Sequence, residues 1–111
     1  MADCLFCRLI ADPGFKTRYR SEHVVVFEDI DPKAPVHLLV IPTKHVQSVR
    51  EITDAVLLGH LFEAARRVAT EAGLDEGGYR LVFNVGPDAG QTVFHAHLHL
   101  LGGRNFTWPP G

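Results

Sequence analysis

Three histidines stand at alternate positions near the end of the chain: His95, His97 and His99. Residues two apart on a β-strand point to the same face, so a strand here would line up the three imidazoles. The apolar residues that alternate with them would be buried on the opposite face: Phe94, Ala96, Leu98 and Leu100. At a rise of about 3.3 Å per residue the outer two histidines lie roughly 13 Å apart, so all three cannot easily ligate one metal ion.

Grouping three imidazoles on one face favours a chemical role over a structural one. Crowded histidines lose hydration, repel one another when protonated, and pack no better than valine or isoleucine. An imidazole is a competent nucleophile toward phosphorus, and the phosphorus–nitrogen bond that it forms can be hydrolysed in a second step. One division of labour makes His97 the nucleophile or base, lets His99 bind an anion and leaves His95 a structural task.

The segment before the histidines, Gly90-Gln91-Thr92, is suited to binding phosphate. Its glycine permits a positive φ, and its backbone N–H groups and threonine hydroxyl could together form an anion-binding nest. Asn84 could add a neutral donor from the end of the preceding strand. Both features also have plainer interpretations, because glycine-rich segments connect hairpins and asparagine is a common turn former.

The two cysteines, Cys4 and Cys7, form a C-x-x-C pair. This spacing is typical of half a metal site or of a redox pair rather than of a disulfide framework. A thioredoxin-like redox pair would follow a strand in a βαβ unit, whereas this pair opens the chain. Metal binding is therefore favoured, two small core thiols are the main alternative, and redox chemistry is a minor one.

The composition is that of an ordinary globular protein. Hydrophobic residues make up 46% and charged residues 22% of the 111 residues, which excludes a disordered chain and predicts a single domain over residues 1–111. A net charge of −2 argues against nucleic acid or an anionic membrane as a partner. No apolar run is long enough to cross a bilayer and no signal peptide is recognisable, so we expect a cytoplasmic protein.

Hydrophobic periodicity and turn residues predict the elements that must position these groups. A four-residue apolar spacing predicts a short helix over residues 5–11, and a long amphipathic helix begins after Thr53 as N-cap and ends before Gly73. Residues of high β-propensity predict five strands, at 17–20, 23–29, 36–43, 79–85 and 93–101. This order indicates an α+β fold with an antiparallel sheet of about five strands, one long helix and one short N-terminal helix.

The tail Trp108-Pro109-Pro110-Gly111 cannot form a central strand, since adjacent prolines lack the N–H donors of a ladder. Trp108 could anchor the chain on a partner, including a second copy of itself, or it could cover its own core. The sequence favours these two interpretations equally.

The histidine segment fits the signature of the histidine triad (HIT) superfamily, His-φ-His-φ-His-φ-φ with φ apolar. Further segments resemble its HINT branch, so the resemblance covers essentially the whole chain: Phe27-Glu28-Asp29-Ile30, the run from Ala34 to Pro42, Gly90-Gln91-Thr92, and Leu101-Gly102-Gly103-Arg104 with the Trp-Pro-Pro-Gly end. The resemblance implies a HIT-like fold and a homodimer in which the long helix and the strand after it pair across a two-fold axis. It also implies that Trp108 reaches the active site of the partner.

The same resemblance implies hydrolysis of purine nucleoside 5′-phosphoramidates to a nucleotide and an amine, through a nucleotidyl-histidine intermediate. His97 would attack the α-phosphorus, with the backbone carbonyl of His95 accepting its other N–H. His99 would hydrogen-bond a nonbridging phosphate oxygen, and His37 would support the triad.

Other nucleotide contacts also follow from the resemblance. Asn84 and Thr92 would contact the phosphate and leaving group, beside Gly90 and Gln91, and Asp29 would bind the ribose hydroxyls. Five apolar residues would line the purine pocket: Phe6, Leu9, Phe27, Ile30 and Leu39. The family usually has serine where this chain has Thr92, which keeps the hydroxyl and adds a methyl group on the leaving-group side.

The cysteine pair resembles half of a zinc site of some bacterial HIT proteins, which the histidine of a Pro-x-x-His segment and the first triad histidine complete. In this chain the four ligands would be Cys4, Cys7, His45 and His95. Two cysteines and two histidines make a closed tetrahedral site of the structural kind. Zinc would thus hold the N-terminal helix to the sheet, and the chemistry itself would need no cofactor.

Two other functions stay open. One is hydrolysis of dinucleoside polyphosphates, although the Trp-Pro-Pro-Gly end argues against it; the other is a nucleotide-binding or protein-interaction module without useful turnover. A metal oxygenase that uses His95 and His97 as a chelating pair fails for lack of a carboxylate in the same motif. His23 and His60 are assigned no role.

Overall fold

The computed structural model describes residues 3–111, which form two α-helices, five strands and two short 3₁₀ turns. The helices are α1 (Leu5–Ala11) and α2 (Ala55–Glu71), and the 3₁₀ turns are Val49–Glu51 and Pro87–Ala89. The strands are β1 (Tyr19–Arg20), β2 (Val24–Glu28), β3 (Val36–Pro42), β4 (Tyr79–Phe83) and β5 (Leu98–Gly102). The predicted α+β fold with a five-stranded sheet, one long helix and one short helix is confirmed.

All five strands join one antiparallel sheet in the order β1-β2-β3-β5-β4. The last strand of the chain therefore lies inside the sheet, where His99 pairs with Leu39 of β3 and with Val82 of β4. Because side chains alternate between faces, His99 shares one face of the sheet with His37 of β3 and Phe27 of β2.

The opposite face of the sheet packs on α2 and forms the main core. The N-terminus of α2 is capped by Asp54, whose carboxylate accepts a hydrogen bond from the N–H of Val56 at 2.9 Å, and its C-terminus is followed by Gly73 with a φ of 77°. Thr53, the expected N-cap, is one residue too early because the Asp54 carboxylate makes this contact. The helix buries one stripe against the sheet: Leu61, Ala64, Ala65, Val68 and Ala69.

A second, smaller apolar cluster lies on the face that carries His99. It consists of Phe6 from α1 with Val25, Phe27, Leu39 and Ile41 from the sheet. The fold therefore separates a large core under α2 from a small cluster under α1, and the latter borders the histidines.

The strand predicted over residues 93–101 is shorter than expected, because His95 and His97 precede β5 rather than belonging to it. The backbone before Leu98 makes other contacts: the N–H of Ala96 donates to the Val46 carbonyl, and the His95 carbonyl accepts from the His97 ring. Ala96, Leu98 and Leu100 are buried as predicted, whereas the prediction for Phe94 is wrong, since 53% of it is exposed.

Among residues 3–111 no helix is both long and apolar enough to cross a membrane. The tail that ends in Trp108-Pro109-Pro110-Gly111 forms no strand, as its prolines require. Trp108 is 82% exposed in the single chain, so it does not cover its own core.

Candidate active site

A cleft of about 530 Å³ opens on the sheet face beneath α1. It brings together most of the residues predicted for nucleotide binding, including His37, His97 and His99: the others are Phe6, Leu9, Phe27, Asp29, Ile30, Leu39, Asn84, Gly90 and Thr92. Gln91, His95 and Trp108 do not line it within the single chain.

Aromatic side chains form one end of the cleft. The ring of Phe6 packs edge-on against Phe27 at 5.4 Å and against His97 at 5.3 Å between ring centroids, and Phe15 packs against Phe27 at 5.1 Å. Leu39 forms part of the buried floor, whereas Ile30 is fully exposed and lies at the mouth. This end therefore offers a flat apolar surface next to an imidazole.

A chain of hydrogen bonds fixes the tautomers of two histidines. The backbone N–H of Lys33 donates to His37 Nδ1 at 3.0 Å, so the ring proton of His37 must be on Nε2. His37 Nε2 lies 2.9 Å from His99 Nδ1 and 3.3 Å from the Asp29 carboxylate, and its proton is donated toward both. His99 Nδ1 is consequently an acceptor, and a neutral His99 carries its proton on Nε2.

The tautomer of His97 is fixed from the other side. Its Nδ1–H donates to the backbone carbonyl of His95 at 2.8 Å, which leaves the lone pair of Nε2 free. The rings of His97 and His99 lie 4.9 Å apart between centroids. The cleft thus presents a nucleophilic nitrogen and an N–H donor on adjacent histidines.

Burial keeps the supporting histidines neutral. The pKa of His99 is lowered to about 4, chiefly by burial and then by the neighbouring His97 and His37, with Asp29 opposing the shift. Burial also lowers the pKa of His37, although the Asp29 carboxylate opposes this effect. His99 is therefore an uncharged hydrogen-bond donor at neutral pH.

The loop before the histidines is held by hydrogen bonds within the loop. These bonds use backbone N–H groups that were predicted to form an anion-binding nest. The N–H of Gly90 donates to the Pro87 carbonyl at 3.0 Å, and the N–H of Gln91 donates to the Gly86 carbonyl at 3.1 Å. The expectation that these two amides face a phosphate is therefore wrong for this conformation, because both already have acceptors.

The side chain of Gln91 is buried and braces the loop instead of facing the cleft. Its carbonyl oxygen accepts from the N–H of Gly86 at 2.9 Å, and its amide donates to the carbonyls of Gln47 and Val93 at 2.7 and 3.1 Å. Of the predicted Gly90-Gln91-Thr92 segment, Gly90 and Thr92 reach the cleft wall, and the Thr92 hydroxyl remains the candidate polar contact.

A second cluster lies behind the cleft, where Cys4, Cys7, His45 and His95 place their ligand atoms within 4.8 Å of one another. Cys4 Sγ and Cys7 Sγ lie 3.4 and 3.5 Å from His95 Nδ1, and Cys7 Sγ lies 3.4 Å from His45 Nδ1. His95 is fully buried and its Nε2–H donates to the Pro42 carbonyl at 2.8 Å, so its Nδ1 lone pair faces the thiols. The donor set and its convergence fit a tetrahedral zinc ion.

Three contributors to the site were missed by the sequence analysis. The N–H of Lys33 and the carbonyl of Pro42 set histidine tautomers, and no sequence signal identifies a backbone group as a tautomer control. Phe15 extends the aromatic end of the cleft, and the turn at Pro13-Gly14 that returns the chain to the sheet could have indicated it.

Comparison with known proteins agrees with this fold. The HIT domain family model matches residues 16–106, and the chain belongs to this family. An uncharacterized HIT-like protein of Synechococcus elongatus is 48% identical over 95 residues, which cover 84% of this chain and 82% of that protein.

Solved structures show the same fold. A HIT family hydrolase from Legionella pneumophila superposes with a TM-score of 0.92 at 45% identity, covering 98% of this chain and 100% of that one. A HIT family hydrolase from Clostridium thermocellum gives a TM-score of 0.90 at 44% identity, covering 96% of each chain. The five-stranded α+β architecture is thus the HIT fold, and both of these structural relatives are named HIT family hydrolases.

Proposed function

We propose that the protein hydrolyses purine nucleoside 5′-phosphoramidates, and that His97 is the nucleophile. The observation that carries the proposal is the fixed pair of tautomers: His97 Nδ1–H is bound to the His95 carbonyl, and His99 Nδ1 accepts from His37. These bonds leave a lone pair on His97 Nε2 and an N–H on His99 Nε2, which are the two groups that attack on a phosphorus centre requires.

The shape of the cleft supports a nucleotide as substrate. The aromatic end formed by Phe6, Phe15 and Phe27 is suited to a purine, and Asp29 lines the same cleft. The Asp29 carboxylate can accept hydrogen bonds from the ribose hydroxyls, and Asn84 and Thr92 can contact the phosphate and the leaving group.

The reaction proceeds in two displacements at phosphorus. The lone pair of His97 Nε2 forms a bond to the α-phosphorus, and the electrons of the P–N bond leave with the amine nitrogen, which takes a proton from solvent and departs as a neutral amine. The His95 carbonyl stabilises the positive charge that develops on the His97 ring, and His99 donates to a nonbridging oxygen. Water then attacks phosphorus and loses a proton to solvent, the electrons of the N–P bond return to Nε2, and the nucleotide leaves. The proton released in this step balances the one that the amine takes up in the first step.

We also propose that Cys4, Cys7, His45 and His95 hold a structural zinc ion. Zinc bound there would supply no chemistry to the reaction, since four protein ligands complete its coordination. The support is the lone pair of His95 Nδ1, which points at two thiols from a fully buried ring.

A homodimer is proposed from the surfaces left open in the single chain. Strand β4 is an edge of the sheet, and α2 beside it exposes 66% of Val56 and 46% of Phe62. Trp108, 82% exposed, is suited to reach a partner's cleft. Sedimentation should give the mass of two chains, and Phe62→Glu should give that of one; a monomeric wild-type protein would contradict the proposal.

The activity is tested by hydrolysis of adenosine 5′-phosphoramidate with wild-type protein, His97→Ala and His23→Ala. His23 is an exposed histidine away from the cleft, so its variant controls for loss of any histidine. We expect His97→Ala to lose activity by about a thousandfold or more, because the nucleophile is gone, and His23→Ala to keep it.

The outcomes separate the competing functions. Equal activity of wild type and His97→Ala would remove His97 from the mechanism. Turnover of a dinucleoside polyphosphate with none of the phosphoramidate would favour the polyphosphate hydrolase, and tight AMP binding without any turnover would favour a binding module.

A further inference from the structure

Helix α1 connects the cysteine cluster with the cleft. Its only fully buried side chain, Phe6, lies between the N-cap residue Cys4 and the helical residue Cys7. The Phe6 ring contacts His95 at 5.9 Å and His97 at 5.3 Å between centroids. One side chain thus touches both a member of the cysteine cluster and the proposed nucleophile.

Helix α1 needs an anchor outside itself. It has seven residues, and isolated helices of that length are unstable in water. Besides its apolar contacts, the Arg20 guanidinium donates to the Ile10 carbonyl at 3.2 Å, at the far end of the helix. The end that carries Cys4 and Cys7 is held to His45 and His95 through the thiols.

His95 has independent anchors, in contrast to α1. Its ring is fully buried and donates to the Pro42 carbonyl at 2.8 Å, and the N–H of the next residue, Ala96, donates to the Val46 carbonyl at 2.7 Å. Loss of a metal ion would therefore leave His95 in place and remove one anchor from the N-terminal end of α1, which carries Phe6.

We infer that zinc at the cysteine cluster and nucleotide in the cleft bind cooperatively, and that Phe6 transmits the coupling. Zinc fixes α1, α1 fixes Phe6, and Phe6 forms the cleft wall against Phe27 and His97. In this role Phe6 is a positioning residue, and zinc is an affinity determinant for nucleotide as well as a stabiliser of the fold. The inference rests on the proposed function for its choice of ligand.

Linkage makes the inference quantitative. If zinc raises the affinity for AMP by some factor, AMP must raise the affinity for zinc by the same factor. We expect a factor of about ten, within the usual range of such couplings. A zinc ion that merely stabilised the fold would raise the melting temperature and leave the AMP affinity of the folded protein unchanged.

The test measures AMP binding by calorimetry to zinc-loaded and zinc-free full-length protein under reducing conditions, at a temperature where circular dichroism shows both to be folded. Zinc affinity is measured by chelator competition, with and without saturating AMP. Phe6→Leu removes the ring contacts while keeping an apolar side chain, so it should still bind zinc and should lose the coupling. Ile10→Ala, on the same helix but outside the cleft, should keep it.

Each result decides the inference. Equal AMP affinity with and without zinc would overturn the coupling and leave the proposed function standing, whereas no AMP binding in either form would overturn both. Failure of the chain to bind zinc would also overturn it. Undiminished coupling in Phe6→Leu, or loss of coupling in Ile10→Ala alone, would exclude Phe6 as the connection.

Discussion

Acid should destabilise this protein through His99 in particular. Burial lowers the pKa of His99 from its ordinary value of 6.5 to about 4, so the unfolded chain takes up a proton more readily than the folded protein. This contribution to stability is fully present above about pH 6.5 and is lost as the pH falls from 6.5 toward 4. The groups that face the ring are His37 and Asp29 on one side and His97 on the other.

The magnitude follows from the linkage relation. With these two pKa values, lowering the pH from about 7 to about 5 removes about 2 kcal/mol of unfolding free energy through His99 alone. In His99→Asn the titrating ring is absent, while the amide oxygen can still accept the Nε2–H of His37. The variant should therefore lose about 2 kcal/mol less than wild type over this pH interval.

Urea unfolding at a series of pH values measures the difference. His23→Asn serves as the matched control, because it makes the same substitution at an exposed histidine that does not line the cleft. His37 and His95, whose pKa values are also lowered by burial, contribute to all three proteins alike. The same pH dependence in His99→Asn and wild type would refute the reasoning, since His99 would then titrate alike in the folded and unfolded chains.

Three shorter predictions concern the surroundings of the site. Gly102→Ala places a Cβ 2.6 Å from the Leu74 side chain, so it should lower the free energy of unfolding in urea by about 1–3 kcal/mol. The control Gly59→Ala has open space around it and should not destabilise the fold. Equal stability of the two variants would refute the packing argument. Gln91→Ala should lower the free energy of unfolding by about 1–3 kcal/mol in the same assay and should lower kcat, because the loop beside the histidines loses three hydrogen bonds. Unchanged stability and kcat would contradict the role of Gln91 as a brace for this loop. Cys7→Ser should abolish the one zinc ion expected per chain in elemental analysis, and wild-type zinc content in this variant would exclude Cys7 as a ligand.

The elements with strong periodicity could be predicted from the sequence, and those that depend on distant contacts could not. The apolar stripe of α2 and the β-branched residues of β2 and β3 placed these elements to within a few residues. The start of β5 was misplaced, because His95 and His97 alternate like strand residues, while the Ala96 N–H donates to the Val46 carbonyl and the His95 carbonyl accepts from the His97 ring. Local pattern contains no information about such acceptors.

In the site, too, the residue types could be predicted from the sequence, whereas their hydrogen-bond partners could not. The triad, Asp29 and the cysteine pair were identified from residue type and spacing or from family resemblance. The structure places Asp29 with His97 and His99 in the cleft, and the cysteine pair with His95 behind it. The roles of Gln91 and Lys33 depend on which carbonyl or ring nitrogen lies within about 3 Å, and this is set by the packing of segments far apart in the chain.

The strand order has a consequence for biosynthesis. Because β5 is inserted between β3 and β4, the sheet cannot be completed until Gly102 has left the ribosome, although its other four strands emerge earlier. Until then β3 has no neighbour on one side and α2 has only part of its sheet to cover. The sheet is therefore completed only after its last strand has been translated. Because His99 lies on that strand, it joins the other histidines of the cleft in the same step.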